Sequence, residues 1–165
     1  MDHLAVGSSA PDFELKTPDG TVIRLSTALG RGPVLLAFYK SSCPTCQFTF
    51  PFLQQLFDGF GADMRPRVLG VSQDEADETV LFADETGVRF PILLDEHPYP
   101  VSSAYELHFV PTLYLVDTDH TVRVADFGFS KPAISESAGY LARELNAVPP
   151  VIFSDDDGLP ETRPG

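Results

Sequence analysis

Continuous apolar runs alternate with stretches of helical spacing along most of this chain. A run that is apolar at nearly every position is typical of a strand buried on both faces, and recurrence at every third or fourth position is typical of an amphipathic helix. The predicted strands are residues 33–40, 67–73, 90–95, 112–117 and 121–128. The predicted helices are residues 45–61, 75–87, 101–108 and 133–145, with one short helical turn at 26–32.

A β-hairpin is predicted before the first buried strand. The stretch PDFELKTPDGTVIRL, residues 11–25, has the pattern of two strands around a Pro-Asp-Gly turn. Buried strands that alternate with helices indicate an α/β sandwich with a parallel core. The last two predicted strands surround a polar turn and would add an antiparallel edge to that sheet.

Residues 149–165 do not share this pattern. The stretch PPVIFSDDDGLPETRPG is rich in Pro and Asp and shows no clear period. It is therefore predicted to be an acidic, mobile C-terminal tail that follows a single domain over residues 1–148. One domain is also the natural expectation for 165 residues, of which 43% are hydrophobic.

The charge balance narrows the classes of partner. Eleven basic residues against 24 acidic ones give a formal net charge of −13. A surface this acidic repels phosphate backbones, so no nucleic-acid partner is expected. No apolar run is long enough to span a bilayer. The first residues lack the basic and apolar regions of a secretory signal, so a cytoplasmic location is expected, or a periplasmic one if an export segment was removed.

The two cysteines of the chain stand together in the stretch Cys43-Pro44-Thr45-Cys46, between a predicted strand and a predicted helix. Unpaired N–H groups and a partial positive charge at a helix N-terminus favour a thiolate over a thiol. Pro44 suits the first helical position, where a missing N–H costs nothing. Cys43 is therefore predicted to attack a substrate disulfide, and Cys46, one turn along, to resolve the mixed disulfide.

The cysteine pair also has two less specific interpretations. Half of a structural zinc site would need a second pair of ligands, but no further cysteine exists and the four histidines show no paired spacing. A purely structural disulfide closing so short a loop would stabilise the fold by only about 2 kcal/mol. Neither interpretation explains why the pair stands between a strand and a helix, and no metal or other cofactor is expected.

Three landmarks together resemble the thioredoxin-like thiol–disulfide oxidoreductases. They are the stretch FYKSSCPTC, a proline at position 51 five residues after the second cysteine, and the stretch FVPTLYLVD at 109–117. The added N-terminal hairpin is similar to the branch that holds cytochrome-maturation reductases and alkyl hydroperoxide reductase/peroxiredoxin relatives. The resemblance covers about residues 5 to 146. It implies a thioredoxin-like three-layer α/β/α sandwich with an N-terminal β-hairpin extension.

The resemblance also implies a substrate-binding surface. A cis bond is expected between Val110 and Pro111, in a loop that faces the cysteine pair and pairs with an extended substrate. The implied substrate-binding residues are Ser42, Pro44, Thr45, Val110, Pro111 and Thr112. The implied partners are protein disulfide substrates and a thiol electron donor.

The chain departs from the family pattern around the cysteines. Ser42 stands where a Trp is usual, which makes the rim of the site smaller and more polar. Ala37 stands in place of a buried Asp, and Thr49 in place of a Glu found in some cytochrome-maturation reductases. Lys40 is expected to be a solvated strand-end residue. Asp74 and Glu75 are expected to form an acidic cluster at a helix N-terminus, although both could lie near the site.

Two other functions stay open at this point. A peroxiredoxin shares the fold and the hairpin, but its Pro-x-x-x-Thr/Ser-x-x-Cys loop is absent, because Lys40 precedes Cys43 by three residues and no proline stands at the required distance. A non-catalytic thioredoxin-fold binding or redox-sensing module would fit the acidic surface and the missing acids. The reduction potential, the substrate and the oligomeric state also stay open.

Overall fold

The computed structural model describes residues 3–60 and 67–165, and within them strands and helices alternate in the predicted order. The strands are β1 (Glu14–Lys16), β2 (Val22–Arg24), β3 (Val34–Tyr39), β4 (Val68–Ser72), β5 (Ile92–Leu94), β6 (Thr112–Val116), β7 (Val122–Phe127), β8 (Phe129–Ser130) and β9 (Thr162–Arg163). The helices are α1 (Leu25–Leu29), α2 (Pro44–Asp58), α3 (Ala76–Thr86), α4 (Pro100–Ala104) and α5 (Lys131–Glu144).

Seven of these strands form one mixed sheet in the order β2-β1-β5-β4-β3-β6-β7. The central strands β3, β4 and β5 are parallel, whereas β6 and β7 add antiparallel pairs on one side and the β1–β2 hairpin adds them on the other. The predicted parallel core, antiparallel edge and N-terminal hairpin are therefore confirmed. All residues of β3 are buried, as its uninterrupted apolar run requires.

Alternate residues of β3 pack into two separate cores, because successive side chains of a strand point to opposite faces. Leu35 and Tyr39 belong to a core shared with α2, α3 and α5. Leu36 and Phe38 belong to a core on the opposite face, shared with the short helices α1 and α4. Helices thus cover both faces of the sheet, which makes the fold the three-layer thioredoxin-like α/β/α sandwich that the family resemblance implied.

Helix α2, which carries both cysteines at its first turn, is fixed to the sheet by aromatic rings. The ring of Phe50 lies 4.5 Å from that of Tyr39 and 5.1 Å from that of Phe82, measured between centroids. Both Phe50 and Tyr39 are fully buried. Pro51 lies inside α2, as expected, and the helix continues to Asp58. The packing therefore holds the N-terminus of α2 in a fixed position at the end of β3.

Some predicted boundaries differ from the observed ones. The helix predicted over 101–108 begins at Pro100 and ends at Ala104, because the chain turns at Tyr105 and Glu106 takes a positive φ of 54°. The sequence offers two glycines as stops for α2: Gly59 follows the observed helix directly, as predicted, and Gly61 lies outside the described residues. None of the helices that the structure describes is long and apolar enough to cross a membrane.

The prediction of a mobile C-terminal tail is corrected by the structure, in which residues of this segment pack against the domain. Strand β9 pairs antiparallel with β8, with Phe129 opposite Arg163 and Ser130 opposite Thr162. The ring of Phe153 packs 5.3 Å from that of Phe52. A composition rich in Pro and Asp gave no signal of this aromatic contact or of the two-residue strand, which contact the domain together with an ion pair between Asp157 and Lys131. The domain boundary after residue 148 stays a prediction.

Candidate active site

Cys43 stands at the junction of β3 and α2. It is the N-cap of the 15-residue helix, and Pro44 occupies the first helical position, as predicted. The backbone N–H of Cys46 donates to the Cys43 sulfur at 3.2 Å. An N-cap side chain accepts a hydrogen bond from one of the unpaired N–H groups of the helix, and here the acceptor is the sulfur of Cys43. A negative charge on this sulfur would be stabilised by that N–H and by the helix dipole.

Cys46 lies one turn below, behind Cys43. Its side chain is fully buried, whereas Cys43 is half-buried, and both are free thiols. Burial raises the pKa of the Cys46 thiol far above its usual range, and the hydrogen bond to Cys43 raises it further. The two sulfurs therefore have different roles open to them: Cys43 is accessible to a substrate, and Cys46 is an inner thiol that can be reached only through Cys43.

The loop before β6 faces the Cys43 sulfur. The carbonyl oxygen of Val110 lies 3.6 Å from the sulfur and accepts a hydrogen bond from the thiol. The Val110–Pro111 bond is cis, the form that the resemblance implied. Pro111 itself is buried beside it. The structure thus brings Val110 and Pro111 to the cysteine pair from a position more than 60 residues away along the chain.

The remaining predicted substrate-binding residues differ in their accessibility. Ser42 and Pro44 are exposed beside Cys43. The Thr45 side chain is nearly buried, and its hydroxyl donates to the carbonyl of Pro164 at 2.7 Å. Thr112 is fully buried, and its hydroxyl donates to the carbonyl of Phe109 at 2.6 Å. A direct contact of the Thr112 side chain with a substrate is therefore not supported, since that side chain stabilises the loop from inside.

Asp74 is a neighbour of the site whose place the sequence left uncertain. It precedes α3 instead of lying in its first turn, and its carboxylate accepts a hydrogen bond from the Ser41 backbone N–H at 2.7 Å. Its negative charge adds to the effects that raise the pKa of Cys46. The carboxylate therefore fixes the turn between β3 and Cys43 and opposes ionisation of the inner cysteine.

The positions that depart from the family pattern supply no acid beneath the cysteines. Ala37 is fully buried, and the buried Thr49 donates its hydroxyl to the Thr45 carbonyl at 2.7 Å within the helix. Lys40 is exposed, as expected of a solvated strand-end residue. Within residues 3–60 and 67–165, no group of three or more His, Cys, Asp or Glu side chains is arranged to hold a metal ion.

Resolution by Cys46 is expected to accelerate with pH. In a mixed disulfide Cys43 has no free thiol, so its side-chain hydrogen bond no longer raises the pKa of Cys46. Burial still raises that pKa. Below its pKa the thiolate fraction of a thiol grows about tenfold per pH unit, so release should accelerate by about tenfold per unit from pH 6 to 8. The measurement is stopped-flow release of 2-nitro-5-thiobenzoate from a preformed mixed disulfide at Cys43. A rate that does not change over this interval would contradict the burial argument.

Comparison with protein families assigns most of the chain to one family. The model of the AhpC/TSA family matches residues 6–125. Among individual relatives, the thiol-disulfide oxidoreductase ResA of Geobacillus kaustophilus is 34% identical over 121 residues, which are 73% of this chain and 68% of that protein. The residues matched by the family model, 6–125, contain the cysteine pair, the Val110–Pro111 loop and the hairpin.

Solved structures agree with this assignment. A protein of Chlorobium tepidum assigned as thiol:disulfide interchange protein DsbE superposes with a TM-score of 0.72 and 25% identity, over 85% of this chain and 97% of that one. Peroxidoxin BcpB of Mycobacterium tuberculosis superposes with a TM-score of 0.71 and 27% identity, over 86% and 98% of the two chains. The fold is thus shared by an interchange protein and by a peroxidoxin.

Proposed function

We infer that this chain, which belongs to the AhpC/TSA family and is similar over most of its length to thiol–disulfide oxidoreductases, is itself such an enzyme and works through disulfide exchange at Cys43 and Cys46. One observation carries the proposal. The half-buried Cys43 sulfur accepts the Cys46 N–H at 3.2 Å at a helix N-terminus, while the Cys46 side chain is fully buried behind it. This is the arrangement that one attacking and one resolving thiol require.

The exchange proceeds in two steps. The Cys43 thiolate attacks one sulfur of the substrate disulfide, a new sulfur–sulfur bond forms, and the other substrate sulfur leaves as a thiolate that takes up a proton. The Cys46 thiol then loses its proton and attacks the Cys43 sulfur. The substrate leaves as a dithiol and the Cys43–Cys46 disulfide remains, so the substrate has gained the two electrons that the cysteine pair has lost.

The proposed direction is reduction of protein disulfides, with an external thiol as the electron donor that regenerates the cysteine pair. The donor thiolate attacks the accessible Cys43 sulfur, and Cys46 leaves as a thiolate that takes up a proton. A second donor thiol then forms a disulfide with the first and releases Cys43, whose negative charge the N–H of Cys46 stabilises. The cytoplasmic location stays a prediction, and the reductase direction depends on it, because a reducing compartment would keep the pair as a dithiol.

A second candidate function is peroxide reduction, favoured by the similarity to the peroxidoxin BcpB. In this chemistry the Cys43 thiolate would attack one peroxide oxygen, the O–O bond would break, and the other oxygen would leave as an alcohol or water. Cys46 would then condense with the Cys43 sulfenic acid to form the disulfide and release water. The exposed Lys40, three residues before Cys43, takes the place of the hydroxyl residue of the peroxiredoxin loop. The disulfide exchange function is therefore favoured over this one.

Turnover of two disulfides and one peroxide separates the candidates. The oxidised chain, with dithiothreitol as donor, is expected to accelerate reduction of bis(2-hydroxyethyl) disulfide and, more slowly, of insulin, but to leave hydrogen peroxide consumption near the rate of dithiothreitol alone. Fast peroxide consumption without disulfide reduction would replace the proposal by the peroxidase. If none of the three reactions is accelerated, the remaining interpretation is a non-catalytic binding module.

A further inference from the structure

Residues 161–165, here named the strap, lie across the candidate active site. The strap is anchored by the segment before it, where Asp157 forms an ion pair with the buried Lys131 at 2.8 Å and the Phe153 ring packs 5.8 Å from that of Phe129. The Lys131 ammonium group also lies 5.5 Å above the Phe153 ring. These contacts place the strap beside the first turn of α2.

The strap binds to the domain as an extended backbone. Its residues Thr162 and Arg163 form β9, which pairs with β8, and the Lys131 N–H donates to the Glu161 carbonyl at 2.9 Å. The Arg163 guanidinium lies 5.0 Å from the centre of the Phe48 ring. A second side-chain contact is the ion pair between the Glu161 carboxylate and the Lys131 ammonium group at 3.9 Å. The other interactions that hold the strap use its backbone, so the surface beneath it accepts an extended chain with little demand on side chains.

Residues Pro164 and Gly165 of the strap contact the two elements that flank the Cys43 sulfur, the first turn of α2 and the loop before β6. The Pro164 carbonyl accepts the hydrogen bond of Thr45, which lies between the two cysteines. Gly165 lies against the Val110 carbonyl so closely that a Cβ there would overlap the oxygen, and that same oxygen is 3.6 Å from the Cys43 sulfur. The strap therefore covers the surface beside Cys43 from Thr45 of α2 to the Val110 carbonyl of the loop.

A protein disulfide needs this surface. The attacking sulfur and the two disulfide sulfurs must come close to a line, so the chain on either side of a substrate cysteine must lie against the residues around Cys43. A small disulfide has no such chain and needs access to the sulfur alone, which stays half-buried with the strap in place. Substrate size therefore decides whether the strap is an obstacle.

We propose that the strap occupies the docking surface of the protein substrate and competes with it from within the same chain. This inference rests on the proposed function and on the extended protein substrate that the resemblance implies. It adds a control: a protein substrate is reduced only when the strap is displaced, whereas small disulfides are reduced with the strap in place. A tethered segment competes at a high effective concentration, so even modest contacts reduce entry.

Two substitutions act on different contacts of the strap. Arg163→Pro removes the backbone N–H of the β9 residue that stands opposite Phe129, together with the guanidinium beside Phe48. Gly165→Val places a side chain where the Val110 oxygen stands. Val151→Pro is the matched control, because Val151 lies in the same segment, is 89% exposed and makes none of the contacts described above. Hydrogen–deuterium exchange of residues 158–165 reports whether the strap is bound or released in each protein.

The measured quantities are the rates of insulin and of bis(2-hydroxyethyl) disulfide reduction. In both strap variants we expect faster exchange and an insulin rate raised by about threefold or more, with the small-disulfide rate within about twofold of wild type. The control should match wild type in both. An unchanged insulin rate with a released strap, or no exchange protection in wild type, would overturn the inference while the small-disulfide rate still supports the proposed function. Absence of turnover of both disulfides in every protein would reject the two together.

Discussion

Replacing Cys43 by serine is expected to lower the reduction rate of bis(2-hydroxyethyl) disulfide by at least about a thousandfold, to the rate of the donor thiol alone. The reason is that a serine hydroxyl cannot take the place of a thiolate in disulfide exchange. The sulfur of Cys43 is also the accessible one of the pair, since Cys46 is fully buried. Initial rates with dithiothreitol as donor measure the effect.

The matched variant is Cys46→Ser, which removes the other sulfur in the same helical turn. It should still react once with the small disulfide, because Cys43 and its position at the helix N-terminus are retained. Both variants should keep the wild-type circular dichroism spectrum. If Cys43→Ser kept more than about a tenth of the wild-type rate, Cys43 would not be the nucleophile.

Replacing Leu53 by alanine is expected to lower the free energy of unfolding by about 2–5 kcal/mol. Leu53 is fully buried on α2, in the core that also contains Cys46 and Phe50. The substitution leaves a cavity between the helix and the sheet, and the surrounding rings cannot close it without losing their own contacts. Urea unfolding, followed by circular dichroism, measures the change.

The matched control is Leu81→Ala, because Leu81 lies inside α3 and is 56% exposed. Its removal should change the free energy of unfolding by no more than about 0.5 kcal/mol. Equal losses from the two substitutions would show that burial against the sheet does not govern the stability of α2. The position of the cysteines at its N-terminus would then need another explanation.

The sequence predicted the sheet and the large helices because their signal is local. Strands β3 and β4 are apolar at nearly every position, and α2 shows helical spacing over four turns. The C-terminal segment has no such signal. Its pairing joins Phe129 with Arg163, 34 positions apart, through two residues whose composition is that of a loop. Such a contact depends on where the domain places β8, which no local pattern encodes.

The candidate site likewise has features that the sequence predicts and contacts that it does not. The cysteine pair and the Val110–Pro111 loop are recognisable as motifs, and the structure brings them within 3.6 Å. The hydrogen bond from Ser41 to Asp74 and the bond from Thr45 to Pro164 are contacts between distant segments that only the folded chain creates. The burial of Thr112 follows from its place in β6, where the resemblance alone suggested a substrate contact.

Trapping a mixed disulfide shows directly whether Cys43 attacks the substrate and Cys46 resolves the mixed disulfide. Oxidised substrate, either bis(2-hydroxyethyl) disulfide or insulin, is mixed with reduced Cys43→Ser or Cys46→Ser protein, and intact mass followed by peptide mapping locates the adduct. We expect a stable adduct on Cys43 in the Cys46→Ser protein, because the resolving thiol is missing, and none in the Cys43→Ser protein, where Cys46 is buried. Equal adducts in both proteins, or an adduct only on Cys46, would contradict this assignment of roles.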